Sequence, residues 1–154
     1  MEILKFPAPE LYTKCTEVTE FNPALKHVLV EMFNLMLKNN GMGLAANQVG
    51  ICKRMFVMKA TDGTGYAIVN PVLLYKSDQE AKIIESCLSG DLNDGVDNKR
   101  AETITIEYQD ETGKKLTSTF HRLNSVCVQH EMEHLEGKAF MHKYKKVKLP
   151  KNLM

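Results

Sequence analysis

The sequence predicts an α+β fold in which antiparallel β-sheets pack around a central helix carrying an HExxH sequence, with a scaffold helix nearer the N-terminus. Helical periodicity follows Asn22 and returns over about 123–135, and between the two lie five consecutive runs rich in Val, Ile, Tyr and Thr. Strands in succession, with helices only at the ends, pair antiparallel rather than through alternating βαβ crossovers. A chain of 154 residues, 44% hydrophobic and 25% charged, suits one domain over 1–154, with about 138–154 as a short basic tail.

Residues 1–20 mix prolines with short polar runs and read as an extended arm. Asn22 followed by Pro23 makes an N-cap and first helical position; Leu25, Val28, Leu29, Met32, Leu35 and Met36 then recur at helical spacing until Asn39-Asn40-Gly41. Met32 and Met36 lie on the apolar stripe and are read as core filling. Strands are predicted at 53–60, 66–76, 82–89, 102–109 and 114–121, separated by turns such as Thr61-Asp62-Gly63 and Glu111-Thr112-Gly113, the last pair as a hairpin. The second helix repeats Leu123, Val126, Cys127, His130 and His134, and Gly137 stops it.

A net charge of +1 gives no global field that would draw DNA. Lys138, Lys143, Lys145, Lys146, Lys148 and Lys151 carry no acid among them, so the body is acidic and the tail basic. Such a run is read first as a solvated tail and second as a contact for an anionic partner such as RNA. Four cysteines spaced 35 to 40 residues apart, at Cys15, Cys52, Cys87 and Cys127, exclude a zinc ribbon. No secretory signal and no membrane span is expected, and the compartment expected is a reducing cytoplasm.

The informative residues are His130-Glu131-Met132-Glu133-His134. Four helical residues rise about 6 Å and turn about 400°, so both imidazoles leave one face and can converge on one ion. Glu131 flanks that face, where a carboxylate can act as general base toward a water on the ion. The bland reading is a solvated helix rich in His and Glu; the apolar Leu123, Val126, Val128 and Leu135 weigh against it. A third ligand is required. Cys127 lies about 10 Å along the axis from His134, too far for both to reach one ion, and is read as a core or pocket residue. His142 fits no HExxHxxGxxH spacing, and Glu136 points elsewhere. Cys87, at the end of the 82–89 strand, is the best placed of the cysteines, and spacing takes it no further.

Three segments together resemble the peptide deformylases. The family's GxGLAAxQ is matched by Gly41-Met42-Gly43-Leu44-Ala45-Ala46-Asn47-Gln48, its EGCLS at Glu85, Cys87, Leu88 and Ser89, and its QHExDH at Gln129, His130, Glu131 and His134. The opening Ile3-Leu4-Lys5-Phe6-Pro7 and the Asn70-Pro71 strand are also similar, so the resemblance covers nearly the whole chain. It implies a cytoplasmic hydrolase that removes the formyl group from the N-terminal formylmethionine of nascent bacterial-type polypeptides. It implies one divalent metal ion, Fe(II) or Zn(II), held by Cys87, His130 and His134, with Glu131 activating the water. It implies oxyanion donors in the Gln48 amide and the Leu88 N–H, and a methionine pocket from Gly41, Met42, Gly43, Glu85, Leu123, Val126 and Cys127. Arg100 is expected to pair Glu85 as the family's arginine does.

Ser86 stands where the family usually has glycine, Glu133 where Asp is commoner, and the run 90–95 lacks the usual proline. The short C-terminus resembles deformylases carried by bacterial viruses. Two alternatives stand beside the leading expectation: a small zincin-like peptidase, which would need a ligand downstream of HExxH, and an inactive metal-stapled module docking on ribosomal RNA through its basic tail.

Overall fold

The computed structural model describes residues 1–90, 94–138 and 146–148. The arm is extended apart from a short 3-10 turn, Pro9–Tyr12, and leads into helix α1, Pro23–Lys38. Asn22 caps α1 by accepting the Leu25 N–H on its Oδ1 at 2.9 Å, a contact worth about 1 kcal/mol. Strand β1, Gly43–Ala45, and a 3-10 turn, Ala46–Val49, follow. Then come β2, Met55–Lys59; β3, Gly65–Lys76; β4, Glu80–Glu85; and β5, Asp94–Ala101. Strands β6, Thr103–Gln109, and β7, Lys115–His121, form the expected hairpin, and helix α2, Arg122–Leu135, precedes β8, Lys146–Lys148.

The strands make two antiparallel sheets, β1-β2-β3-β6-β7 and β4-β5-β8. Strand β2 is buried on both faces, which explains its unbroken apolar run Met55-Phe56-Val57-Met58. Met55 and Val57 join Leu29, Met32 and Met36 of α1 in one cluster, while Phe56 and Met58 join Cys127, Val128 and Leu135 of α2 in the other. Met32 and Met36 are therefore core residues, fully buried. Helix α2 contacts strands of both sheets, among them β1, β5 and β7.

Four expected strands appear as β2, β3, β6 and β7, with ends shifted by a few residues. The strand expected over 82–89 stops at Glu85, so Cys87 sits past its end in a loop rather than on it. Pairing with β5 ends at Glu85↔Val96, and the chain then turns, with the Gly90 N–H bonded to the Cys87 carbonyl at 3.0 Å. Strands β1, β5 and β8 were not expected. Of the basic tail, Lys138 and Lys146–Lys148 are described and the rest lies outside the described residues, as do 91–93 of the 90–95 run.

Candidate metal centre

The glycine-bearing segment enters the site along β1. A Cβ on Gly43 would lie 2.9 Å from Cys127 Sγ and 3.0 Å from Glu131 Cγ, so only glycine lets this backbone run so close to α2. The following 3-10 turn folds Gln48 back, and Gln48 Oε1 accepts the Ala45 N–H at 2.9 Å. An N–H can only donate, so this bond fixes which end of the amide is which. Gln48 Nε2 faces Cys87 Sγ at 3.5 Å and Ser89 Oγ at 3.1 Å.

Helix α2 brings His130, Glu131 and His134 to the same place, all three buried. One ligand atom each of Cys87, His130 and His134 lies within 4.8 Å of the others, and Cys87 Sγ is 3.2 Å from His134 Nε2. Glu85 Oε1 is 3.1 Å from His130 Nδ1 and sets that ring's orientation. Arg100 grips Glu85 through two bonds of 2.7 and 3.0 Å and reaches Glu133 Oε1 with Nη1 at 2.5 Å. The longer side chain of Glu133 thus extends the buried relay to the surface. At the far end of α2, Asn47 Nδ2 donates to the His134 carbonyl at 2.6 Å, and the Phe6 ring stacks over His134 with centroids 6.4 Å apart.

Burial raises the Glu131 carboxyl to about 7, against the lowering pull of His130 and Arg100. For His130 burial works the other way, but hydrogen bonds to Cys87 and Glu85 outweigh it and lift the imidazolium to about 10. Burial, helped by the His130 and Arg100 charges, holds His134 well below its ordinary range and so neutral. Glu131 Oε2 is buried without a hydrogen-bond partner among the described residues. Two imidazoles and a thiol, converging in a buried site with one ring oriented by a carboxylate, fit a single Fe(II) or Zn(II) by donor type and number.

Beside this cluster opens a cavity of about 370 Å³. Gly41, Met42, Gly43, Glu85, Leu123, Val126 and Cys127 line it, together with Gln48, Cys87, Leu88, His130 and Glu131. His134 lies behind the wall, and Leu123, 41% exposed, stands at the mouth. Glu85 carries more than a pocket wall, since its carboxylate is committed to Arg100 and His130. Asn39, Asn40 and Ile83 also line the cavity, as does Ser86. In the sequence the two asparagines read only as a helix stop, and their amides beside the glycine motif were the available signal. Asn47 and Phe6 carried no such signal, because their contacts are made across the fold.

A sequence model described as polypeptide deformylase matches residues 1–149. The chain belongs to the polypeptide deformylase family. The peptide deformylase of Buchnera aphidicola subsp. Cinara cedri is 36% identical over 142 residues, covering 91% of this chain and 95% of that protein. That of Neisseria gonorrhoeae is 34% identical over 151 residues, covering 96% and 89%. Among solved structures, the Thermotoga maritima peptide deformylase superposes with a TM-score of 0.89 at 30% identity, covering 94% of this chain and 97% of that one. A Plasmodium falciparum peptide deformylase gives 0.87 at 34% identity, covering 94% and 86%. The two antiparallel sheets and two helices are thus the peptide deformylase fold, and the chain is a hydrolase of that family. Members are metalloenzymes, and Cys87, His130 and His134 form the one group among the described residues suited to an ion.

Proposed function

We infer that this protein hydrolyses the N-terminal formamide of formylmethionyl peptides, releasing formate and a free α-amine. The observation that carries the reading is convergence: the Cys87, His130 and His134 donors, the Glu131 carboxylate and the Gln48 Nε2 meet beside one cavity. In this reading α2 is the central helix on which both sheets close, and its HExxH supplies two metal ligands and the base. When bound, Fe(II) or Zn(II) supplies Lewis-acid polarisation of the formyl carbonyl and a nucleophilic water at neutral pH.

The chain's own residues do the rest. Glu131 takes the proton from the attacking water and returns it to the departing amine nitrogen as the C–N bond breaks. Gln48 Nε2–H and the Leu88 N–H donate to the oxygen that gains charge in the tetrahedral state. The direction of the Leu88 N–H is set by the Gly90 bond to the Cys87 carbonyl, which fixes that peptide plane. Met42, Val126, Cys127 and Leu123 offer an apolar wall for a thioether side chain, with Gly41 and Gly43 letting the substrate backbone approach. Ser86 and the asparagines at the rim face the residues that follow methionine.

The test is deformylation of formyl-Met-Ala-Ser by anaerobically purified protein loaded with Fe(II), Zn(II) or Co(II), beside Cys87→Ala and Glu131→Gln. Turnover by the wild type, lost with the metal in Cys87→Ala and lost with the metal retained in Glu131→Gln, supports the ligand role of Cys87 and the proton-transfer role of Glu131 together. Stoichiometric metal binding without turnover overturns the activity and favours a non-catalytic module. The lysines from Lys138 onward suit an anionic surface such as ribosomal RNA, and salt-dependent co-sedimentation with ribosomes tests that contact.

A further inference from the structure

The arm that opens the chain does more than cover the core. Three successive residues, Leu4, Lys5 and Phe6, each donate a hydrogen bond to a backbone carbonyl of the catalytic loops. The Leu4 N–H donates to the Gln48 carbonyl at 2.7 Å, the Lys5 ammonium to the Leu88 carbonyl, and the Phe6 N–H to the Ser89 carbonyl at 2.8 Å. We propose that Leu4, Lys5 and Phe6 form a positioning strap that sets the separation between the two oxyanion donors, the Gln48 amide and the Leu88 N–H. The strap rests on the assignment of those two groups as oxyanion donors.

The need for such a strap follows from the geometry. The two loops are distant in sequence, with Gln48 and Ser89 41 residues apart. The side-chain bonds described between them run from Gln48 Nε2 to Cys87 Sγ and Ser89 Oγ. That same amide must turn to a substrate oxygen during turnover, and whatever bond it gives up can no longer hold the loops in register. Donors act on an oxyanion only within about 2.7–3.1 Å, so an error of a few tenths of an ångström in loop spacing lowers the rate. The strap's bonds end on carbonyls that take no part in the chemistry and therefore persist through it.

The arm is itself anchored at several points. The Val18 N–H and carbonyl are held by the Asn70 side chain at 2.9 and 2.8 Å, Thr16 bridges Lys53, and the Cys15 N–H donates to the Leu135 carbonyl at the end of α2. The Phe6 ring on His134 ties the strap to the metal-ligand helix as well. Lys5 is the member best suited to a test, because it is an exposed residue whose side chain alone makes the bond, and that bond is charge-assisted.

The experiment compares wild type, Lys5→Met and Lys5→Arg for kcat and KM on formyl-Met-Ala-Ser. Alongside run the Tm and the visible thiolate absorption of the Co(II) forms. The strap predicts kcat about 10-fold lower in Lys5→Met, KM within about twofold, unchanged Tm and cobalt spectrum, and recovery in Lys5→Arg. A Lys5→Met kcat within about twofold of wild type overturns the proposal, as does a loss that follows Tm or metal content. Absence of turnover in the wild type sinks the reading of the site and the strap with it, whereas an active wild type with an unaffected Lys5→Met sinks the strap alone.

Discussion

Arg100→Met removes the cation on which two carboxylates converge. The Arg100 and Glu85 side chains are 4% and 5% exposed and joined by two hydrogen bonds, with Glu133 on a further guanidinium nitrogen. Breaking a buried pair from one side costs about 3–5 kcal/mol, because the remaining charge keeps its desolvation and loses its partner. At about 2–4 °C per kcal/mol for a chain of this size, the Tm of the metal-free protein falls by roughly 6–20 °C. The loss also depends on pH. Burial pushes the Glu85 carboxyl up, but hydrogen bonds from His130 and Arg100 outweigh it and hold the group below its ordinary range. Without Arg100 the effect of burial gains, and the Glu85 pKa moves upward. The lowered pKa in the wild type contributes stability that is present above the unfolded value and is lost as pH falls through the folded one; Arg100→Met removes part of it, so the deficit against wild type is larger near about pH 7 than near about pH 4. Scanning calorimetry of both metal-free proteins at the two pH values reads this directly. A fall of less than about 3 °C near neutrality, or a deficit independent of pH, would refute the argument.

Gly43→Ala places a methyl 2.9 Å from Cys127 Sγ and 3.1 Å from Glu131 Oε1, so unfolding in urea should show a loss of about 1–3 kcal/mol. Turnover should fall too, and Gly43→Ala/Cys127→Ala should recover part of the stability. Gln48→Ala leaves the three ligand atoms in place; steady-state kinetics should show kcat about 100-fold lower with metal content intact. Burial, with the neighbouring Cys52, pushes the Cys15 thiol up to about 11. Iodoacetamide near about pH 8 should therefore label the half-buried Cys52 first and Cys15 only after denaturation, as read by peptide mass spectrometry.

The clearest signals in the sequence were those that act locally. Asn22, Pro23 and the Asn39-Asn40-Gly41 stop bounded α1 because capping and chain reversal are decided within a few residues. HExxH was legible because a helix puts residues four apart on one face whatever surrounds it. Strand β5 was missed because Asp94-Gly95-Val96-Asp97-Asn98-Lys99-Arg100 has no apolar alternation, and it exists through pairing with β4 and β8. Strand β1 was missed for a related reason, since Gly43-Leu44-Ala45 is short and of low β-propensity and is held by β2. The end of β4 was overrun because Leu88 and Ser89 look like strand residues, whereas their carbonyls are taken by the arm. Arg100 with Glu85 was foreseen from family resemblance, but the bond from Arg100 to the partly exposed Glu133 was not, because it joins β5 to α2 across 33 residues of sequence.

The parts of the metal centre reach the folding chain at different times. The first is the Gln48 turn, the next the Cys87 loop, and the last the pair of histidines, with Cys87 and His134 47 residues apart. During synthesis a nascent chain can close the β2-β3 pairing early, but it holds no ligand trio until α2 has left the ribosome and docked. Before then Cys87 is an unpartnered thiol on an unfinished sheet, open to oxidation in a way that it is not, at 3% exposure, in the completed protein. In the proposed reading the ion can be captured only after α2 has docked, which makes capture one of the last events of maturation, and it is the docking of α2 that closes the protein over the sulfur.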